Sequence, residues 1–248
     1  MNSAPRKISY RVLLVAALLA ALHAAGLAAI AHAQGEAGLR FALGVPMDEF
    51  ADSNEKLGPG FALHAAYAAT PALAVGIGGT YMIFGSDSRK IDIPLVDDDV
   101  ELNTDYNAAN IYLMAQLRGR VARLTGYLEG RVGGSYLWTE SKLEDDDIFD
   151  DDEVGEKVNY DDFAFCYGGG GGLMLRIVDP READPNIAGD DGGPGVHIDM
   201  KALYVFGSEA EYLTEGDITL DEDDDPIYTV SKSRTDVLQI ELGVVVSF

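Results

Sequence analysis

The chain has 248 residues, 47% of them hydrophobic, with 42 acidic residues against 18 basic ones and a formal charge of −24. A surface of that sign repels phosphate backbones, so nucleic acid is excluded as a partner. A single cysteine, Cys166, excludes an intramolecular disulfide and a cysteine-based metal site, and is expected as a small strand residue.

Arg6, Lys7 and Arg11 precede an apolar run from Val12 to Leu22, and a small-residue stretch ends at Ala31-His32-Ala33. A basic region, a short apolar core and an A-x-A site predict a secretory signal peptide over residues 1–33, cleaved after Ala33. An anchoring helix over Val12 to Ala31 is the weaker alternative, because the run is rich in alanine and ends at a good cleavage site. The signal contains no cysteine, so a lipoprotein anchor at the cleavage site is not expected. Cleavage removes three cations and no acid, leaving one domain over residues 34–248 with a charge of about −27. No later stretch reaches 18 unbroken apolar residues, so a transmembrane helix is not expected. The mean hydropathy of +0.01 suits strands that alternate apolar and polar side chains.

Eight segments with a two-residue period follow, separated by stretches rich in Gly, Pro, Asp and Asn. The first, near Gly38 to Val45, aligns Leu39, Phe41, Leu43 and Val45 on one face. The second, near Gly60 to Ala69, aligns Phe61, Leu63, Ala65 and Tyr67. The third, Leu73 to Phe84, aligns Leu73, Val75, Ile77, Tyr81 and Ile83. The fourth, near Asn107 to Arg118, aligns Ile111, Leu113, Ala115 and Leu117. The fifth, near Leu124 to Thr139, aligns Leu128, Val132, Tyr136 and Trp138. The sixth, Phe163 to Val178, aligns Phe163, Phe165, Tyr167, Leu173, Leu175 and Ile177. The seventh, Val196 to Phe206, aligns Val196, Ile198, Met200, Ala202, Tyr204 and Phe206. The eighth begins near Thr235 and alternates Leu238, Ile240, Leu242, Val244, Val246 and the terminal Phe248 with mostly small or polar residues.

The connections alternate in length. Those after segments one, three, five and seven are long, roughly 46–59, 85–106, 140–160 and 207–233, whereas Thr70-Pro71-Ala72 and Gly119 to Arg123 are short. The connection after segment six, Asp179 to Pro194, is longer and breaks the pattern. Short turns on one side and long loops on the other are the rule for barrels that cross the outer membrane. The expected fold is all-β: an eight-stranded antiparallel transmembrane up-and-down β-barrel with long acidic extracellular loops. Both termini are then periplasmic. A soluble lipocalin-type barrel or a β-sandwich, with the apolar face inward, is the alternative. Aromatic residues near the strand ends (Tyr67, Tyr81, Tyr136, Trp138, Tyr204, Phe206 and Phe248) favour the membrane orientation, with a girdle at both interfaces.

The opposite parity carries Arg40, His64, Gln116, Arg118, Glu129, Arg131, Arg176, His197, Asp199, Lys201, Gln239 and Glu241. An eight-stranded barrel is only wide enough for its own side chains, so charges on that face have to pair. Arg40, Glu129, Arg131, Asp199, Lys201 and Glu241 are therefore expected to form a lumen network that plugs the barrel; a narrow ion path lined by the same groups is the alternative. The run Gly168-Gly169-Gly170-Gly171-Gly172 lacks the Lys-Ser/Thr of a phosphate loop and lies within a strand pattern, where glycine marks a bend or a close approach. Tyr127 or Trp138 is expected to fold over it.

Acidic runs fall in the predicted outer loops: Asp97, Asp98 and Asp99; Asp145, Asp146, Asp147, Asp151 and Asp152; and Asp223, Asp224 and Asp225. Solvated, self-repelling loops are one reading. The other is weak Ca²⁺ or Mg²⁺ binding, which would bridge the loops to phosphorylated lipid headgroups. No run has EF-hand spacing, so no high-affinity metal site and no bound cofactor are expected. His64 and His197 lie on separate strands with no serine beside either in a nucleophile pattern, so no enzyme activity is expected.

The signal, the eight alternating strands, the four long loops and the terminal Val246-Ser247-Phe248 resemble the small outer-membrane β-barrel superfamily, the OmpA/OmpX-like and opacity-type porin-like proteins. The resemblance implies a bacterial outer-membrane location, outer-membrane lipid as surroundings, and Phe248 as the signal read by the barrel-assembly machinery. It also implies a structural, adhesive or small-pore role in the cell envelope. The reading that follows is a non-catalytic barrel acting through its acidic loops, the alternative being a narrow OmpW-like or porin-like channel for small solutes.

Overall fold

The structure, a computed structural model, describes residues 35–91, 100–144, 155–178, 195–214, 218–220 and 226–248. The expected signal peptide and the connection Asp179 to Pro194 lie outside the described residues. In chain order the elements are β1 (Gly35–Pro46), helix α1 (Asp48–Ser53), β2 (Gly58–Thr70), β3 (Leu73–Ile91), β4 (Val100–Val121), β5 (Leu124–Glu144), β6 (Gly155–Val178) and β7 (Gly195–Gly207). Then come β8 (Glu209–Tyr212), β9 (Ile218–Leu220), β10 (Pro226–Tyr228), β11 (Ser231–Arg234) and β12 (Val237–Ser247).

Strands β1 to β7 and β12 form a closed antiparallel barrel in the order β1-β12-β7-β6-β5-β4-β3-β2. The seam joins the two ends of the described chain: Gly35 N–H donates to Phe248 O at 3.0 Å, and Phe248 N–H to Gly35 O at 2.9 Å. Following paired residues from Glu36 through Ala66, Gly76, Met114, Arg131, Gly168, Val205 and Val237 returns to β1 at Pro46, ten residues further along. That stagger fixes the strand tilt and, with eight strands, the bore. Pro71-Ala72 and Ala122-Arg123 make two-residue turns at the end that also holds both strand termini, here called the turn end. The opposite, loop end carries α1 and the paired hairpin strands β8–β11 and β9–β10.

Period-two alternation decides the two faces. Leu39, Phe41, Leu113, Leu128 and Leu242 are each more than half exposed, whereas their polar neighbours point inward and are buried. A soluble barrel with its apolar face inside is thereby overturned: this wall is apolar outward. None of the described helices is long and apolar enough to cross a membrane.

Three details differ from the sequence expectations. The segments expected as loops over 85–106 and 140–160 are in large part strand, since β3 runs to Ile91, β4 starts at Val100, β5 runs to Glu144 and β6 starts at Gly155. Hydrogen-bonded ladders continue where the side chains turn polar on both faces, so hydropathy loses the strands before the backbone does. The outward aromatic rings are unevenly shared between the two ends: Tyr67, 47% exposed, lies at the turn end, and the ring-to-ring clusters gather at the other. Tyr81 lies 5.5 Å from Phe61 and 5.9 Å from Trp138, Tyr136 stacks on Trp138 at 5.3 Å, and Tyr167 stacks on Phe206 at 5.2 Å, all toward the loop end. Trp138, occupied in that outward belt, does not cover the glycine run. Tyr127 does, for a Cβ on Gly172 would sit 2.5 Å from its ring.

Candidate functional site

The interior is built from the inward parity of the eight strands, and it brings together all six residues expected as the lumen network. Arg40 (β1) donates through Nε to Asp199 (β7) at 2.5 Å, and Tyr127 Oη (β5) donates to the same carboxylate at 2.8 Å. Lys201 Nζ (β7) lies 3.1 Å from Glu129 Oε1 (β5) and 3.3 Å from Glu241 Oε2 (β12). Arg131 Nη1 lies 3.8 Å from Glu241 Oε1, its guanidinium sits 4.7 Å above the Tyr112 ring centre, and it donates to Gln239.

These contacts belong to a larger circuit. Gln116 Nε2 donates to Glu129 Oε2 at 2.8 Å, and Arg118 Nε donates to Gln116 Oε1 at 2.9 Å. Arg118 Nη1 reaches across the bore to Glu36 Oε2 at 2.8 Å, and His64 Nε2 lies 3.3 Å from Glu36 Oε1. His64 Nδ1 lies 2.8 Å from Arg40 Nη1, and Arg40 Nη1 lies 3.9 Å from Glu241 Oε2, which returns the path to Lys201. Because a guanidinium only donates, His64 Nδ1 must accept and the ring proton sits on Nε2, facing Glu36. Four cations (Arg40, Arg118, Arg131, Lys201) thus meet four carboxylates (Glu36, Glu129, Asp199, Glu241). Arg40, Lys201, Asp199 and Glu241 are at most 2% exposed. Charges so far from water are tolerable only when paired and hydrogen-bonded, and this set is balanced.

The sequence pattern does not single out Glu36, because the expected first strand begins near Gly38, three residues inside β1. It shares the parity of Arg40, so a longer strand would have included it. Tyr112 and Tyr127 were also missed as lumen residues. Each ring lies over a glycine that makes room for it, and a Cβ on Gly78 would sit 2.6 Å from Tyr112.

Toward the loop end the interior becomes apolar. Phe50 of α1 enters the bore and packs edge-on against Phe84 and Tyr212, both with ring centres 5.3 Å away. Met82, Ala108, Leu137, Ala164, Ala210 and Val237 complete that cluster. Outside it, Tyr160 on the extended part of β6 donates to Glu211, and the acceptor pushes the phenol up to about 12. Phe248 holds the seam through its backbone. Asp97, Asp98, Asp99, Asp145, Asp146, Asp147, Asp151, Asp152, Asp223, Asp224 and Asp225 lie outside the described residues. Among the described residues no group of three or more His, Cys, Asp or Glu is arranged to hold a metal ion.

A family model described as outer membrane protein beta-barrel domain matches residues 14–180. Comparison with curated proteins finds no match. Among solved structures the fold is similar to the attachment invasion locus protein Ail of Yersinia pestis, solved with the heparin analogue sucrose octasulfate, at 15% identity and TM-score 0.43, covering 87% of this chain and 99% of that one. It is also similar to Neisserial surface protein A, at 12% identity and TM-score 0.36, covering 86% and 96%. For CarO of Acinetobacter baumannii the identity is 14% and the TM-score 0.26, covering 85% and 97%.

Proposed function

The chain belongs to the outer membrane protein beta-barrel family, and from that premise we propose that it is a non-catalytic envelope protein whose bore does not conduct and whose function lies in its loops. The carrying observation is the bore itself. A closed circuit of ion pairs and hydrogen bonds, linked through Gln116 and His64, spans it from Glu36 to Glu241, and an apolar cluster around Phe50 fills it further along. An eight-stranded barrel leaves no room for a water-filled path beside such side chains. In this reading the turn end faces the periplasm, and Phe248 is read by the barrel-assembly machinery. The acidic loops face outward, where they meet surface partners or hold Ca²⁺ or Mg²⁺ loosely against lipid phosphates.

The test is single-channel recording of the refolded chain in a planar bilayer at neutral pH and moderate salt. The expected record is silent from protein shown to be inserted. Stable, discrete steps would overturn the closed bore and make the protein a narrow channel for small solutes.

A further inference from the structure

The buried groups of the bore are joined in a ring. Glu36 meets Arg118, Arg118 meets Gln116, Gln116 meets Glu129, and Glu129 meets Lys201. Lys201 meets Glu241, Glu241 meets Arg40, and Arg40 returns to Glu36 through His64. Most of these links join a donor to a carboxylate or to the Gln116 amide, and they hold wherever the carboxylates are ionised. The link between Arg40 Nη1 and His64 Nδ1, at 2.8 Å, is different in kind. A guanidinium only donates, so this link needs a bare imidazole nitrogen opposite it.

The fold holds His64 for this contact. The residue is 1% exposed and is paired with a glycine on each side, Gly38 of β1 and Gly78 of β3. Its ring covers Gly38, where a Cβ would sit 2.2 Å from Cε1, and Tyr112 covers Gly78. The charged groups that act on it are Arg40 and Glu36 of β1, Lys201 of β7 and, through Glu36, Arg118 of β4. Gly78 of β3 and Val245 of β12, which flanks Gly38, bring no charge.

A proton on Nδ1 would set a donor against a donor and add a cation to a set in which cations and carboxylates balance. Arg40 has other acceptors, Asp199 at 2.5 Å and Glu241 at 3.9 Å, so it can leave His64 without being stranded. The imidazolium keeps its Nε2–H on Glu36, 3.3 Å away. We propose that His64 is an acid-released latch of the bore: protonation of Nδ1 parts the ring from Arg40, opens the circuit into a chain and loosens the turn-end part of the lumen. Imidazole ordinarily titrates near about 6.5, so the latch acts in mild acid, where the carboxylates stay ionised. The latch stands whether or not the bore conducts.

The test uses the refolded chain in uncharged micelles, isotope-labelled at histidine and arginine and followed by NMR from about pH 7.5 to about pH 5.5. At the neutral end His64 should show a bare Nδ1 and a protonated Nε2, and the Arg40 guanidinium signals should shift in step as Nδ1 takes its proton. The ring holds only with a neutral His64 and the unfolded chain takes up a proton freely, so acid draws the equilibrium toward unfolding. Over the same range the unfolding equilibrium constant in urea should rise about tenfold more in the parent than in His64→Gln. Glutamine offers an acceptor and a donor that do not titrate. A proton on Nδ1 at the neutral end, Arg40 signals that ignore the His64 titration, or an equal acid response in parent and variant would each overturn the latch. The NMR readings are made on the parent alone, so they decide the matter even where the variant does not refold.

Discussion

Lys201 is the residue on which the buried charges depend most, because its ammonium serves both Glu129 and Glu241. Replacing it with Met keeps much of the stem but strands two carboxylates in the bore. Breaking a buried pair in this way costs about 3–5 kcal/mol, so Lys201→Met should lower the urea midpoint in micelles sharply. Adding Glu129→Gln and Glu241→Gln should recover a large part of that loss; no recovery would mean that packing rather than charge is responsible. Ala122 gives the opposite case. It holds φ at 54° in the two-residue turn between β4 and β5, a conformation that strains an L side chain. Ala122→Gly should therefore stabilise by up to about 1 kcal/mol, read as a higher unfolding midpoint. The six charged lumen residues were legible in the sequence because a period of two makes parity a statement about faces. Their pairing was not. Arg40 meets Asp199 across 159 positions of sequence, and only the closed ladder places them side by side.

At the scale of elements, legibility followed hydropathy. All eight barrel strands stood out where their outward residues are apolar, and their extensions beyond the apolar belt did not. Helix α1 carried no signal at all: six residues with two acids in the first turn and no side-chain cap look like loop. Its position depends on one side chain, Phe50, 2% exposed between Phe84 and Tyr212. Phe50→Ala should remove about 3–5 kcal/mol of local packing. Hydrogen exchange should then quicken in α1, β8 and β11, while the central barrel amides keep their protection. Uniform loss of protection through the barrel would show that the cap is part of the global fold rather than a unit on top of it.

For the whole molecule, the outward greasy wall and the inward balanced charges are two readings of the same alternation, and that is why the fold was visible from the sequence. The barrel also has a seam that is chemically like any other ladder, with eleven register pairs between β1 and β12. A circular permutant that joins residue 248 to residue 35 through a short linker, opened between Pro71 and Ala72, should refold to the same barrel. Heat-modified migration on a gel and an unchanged circular dichroism spectrum would confirm it, and failure to refold would mean that the natural seam is required. The same seam sets the order of events in time. β12 supplies the partner that β1 and β7 both lack, so a chain without it has two open edges and no closed product. Formation is then a search that pairs the far ends of the polymer in its last step, slow by its topology and all-or-none in outcome. A chain caught before that step exposes both its greasy wall and its unpaired backbone to whatever holds it.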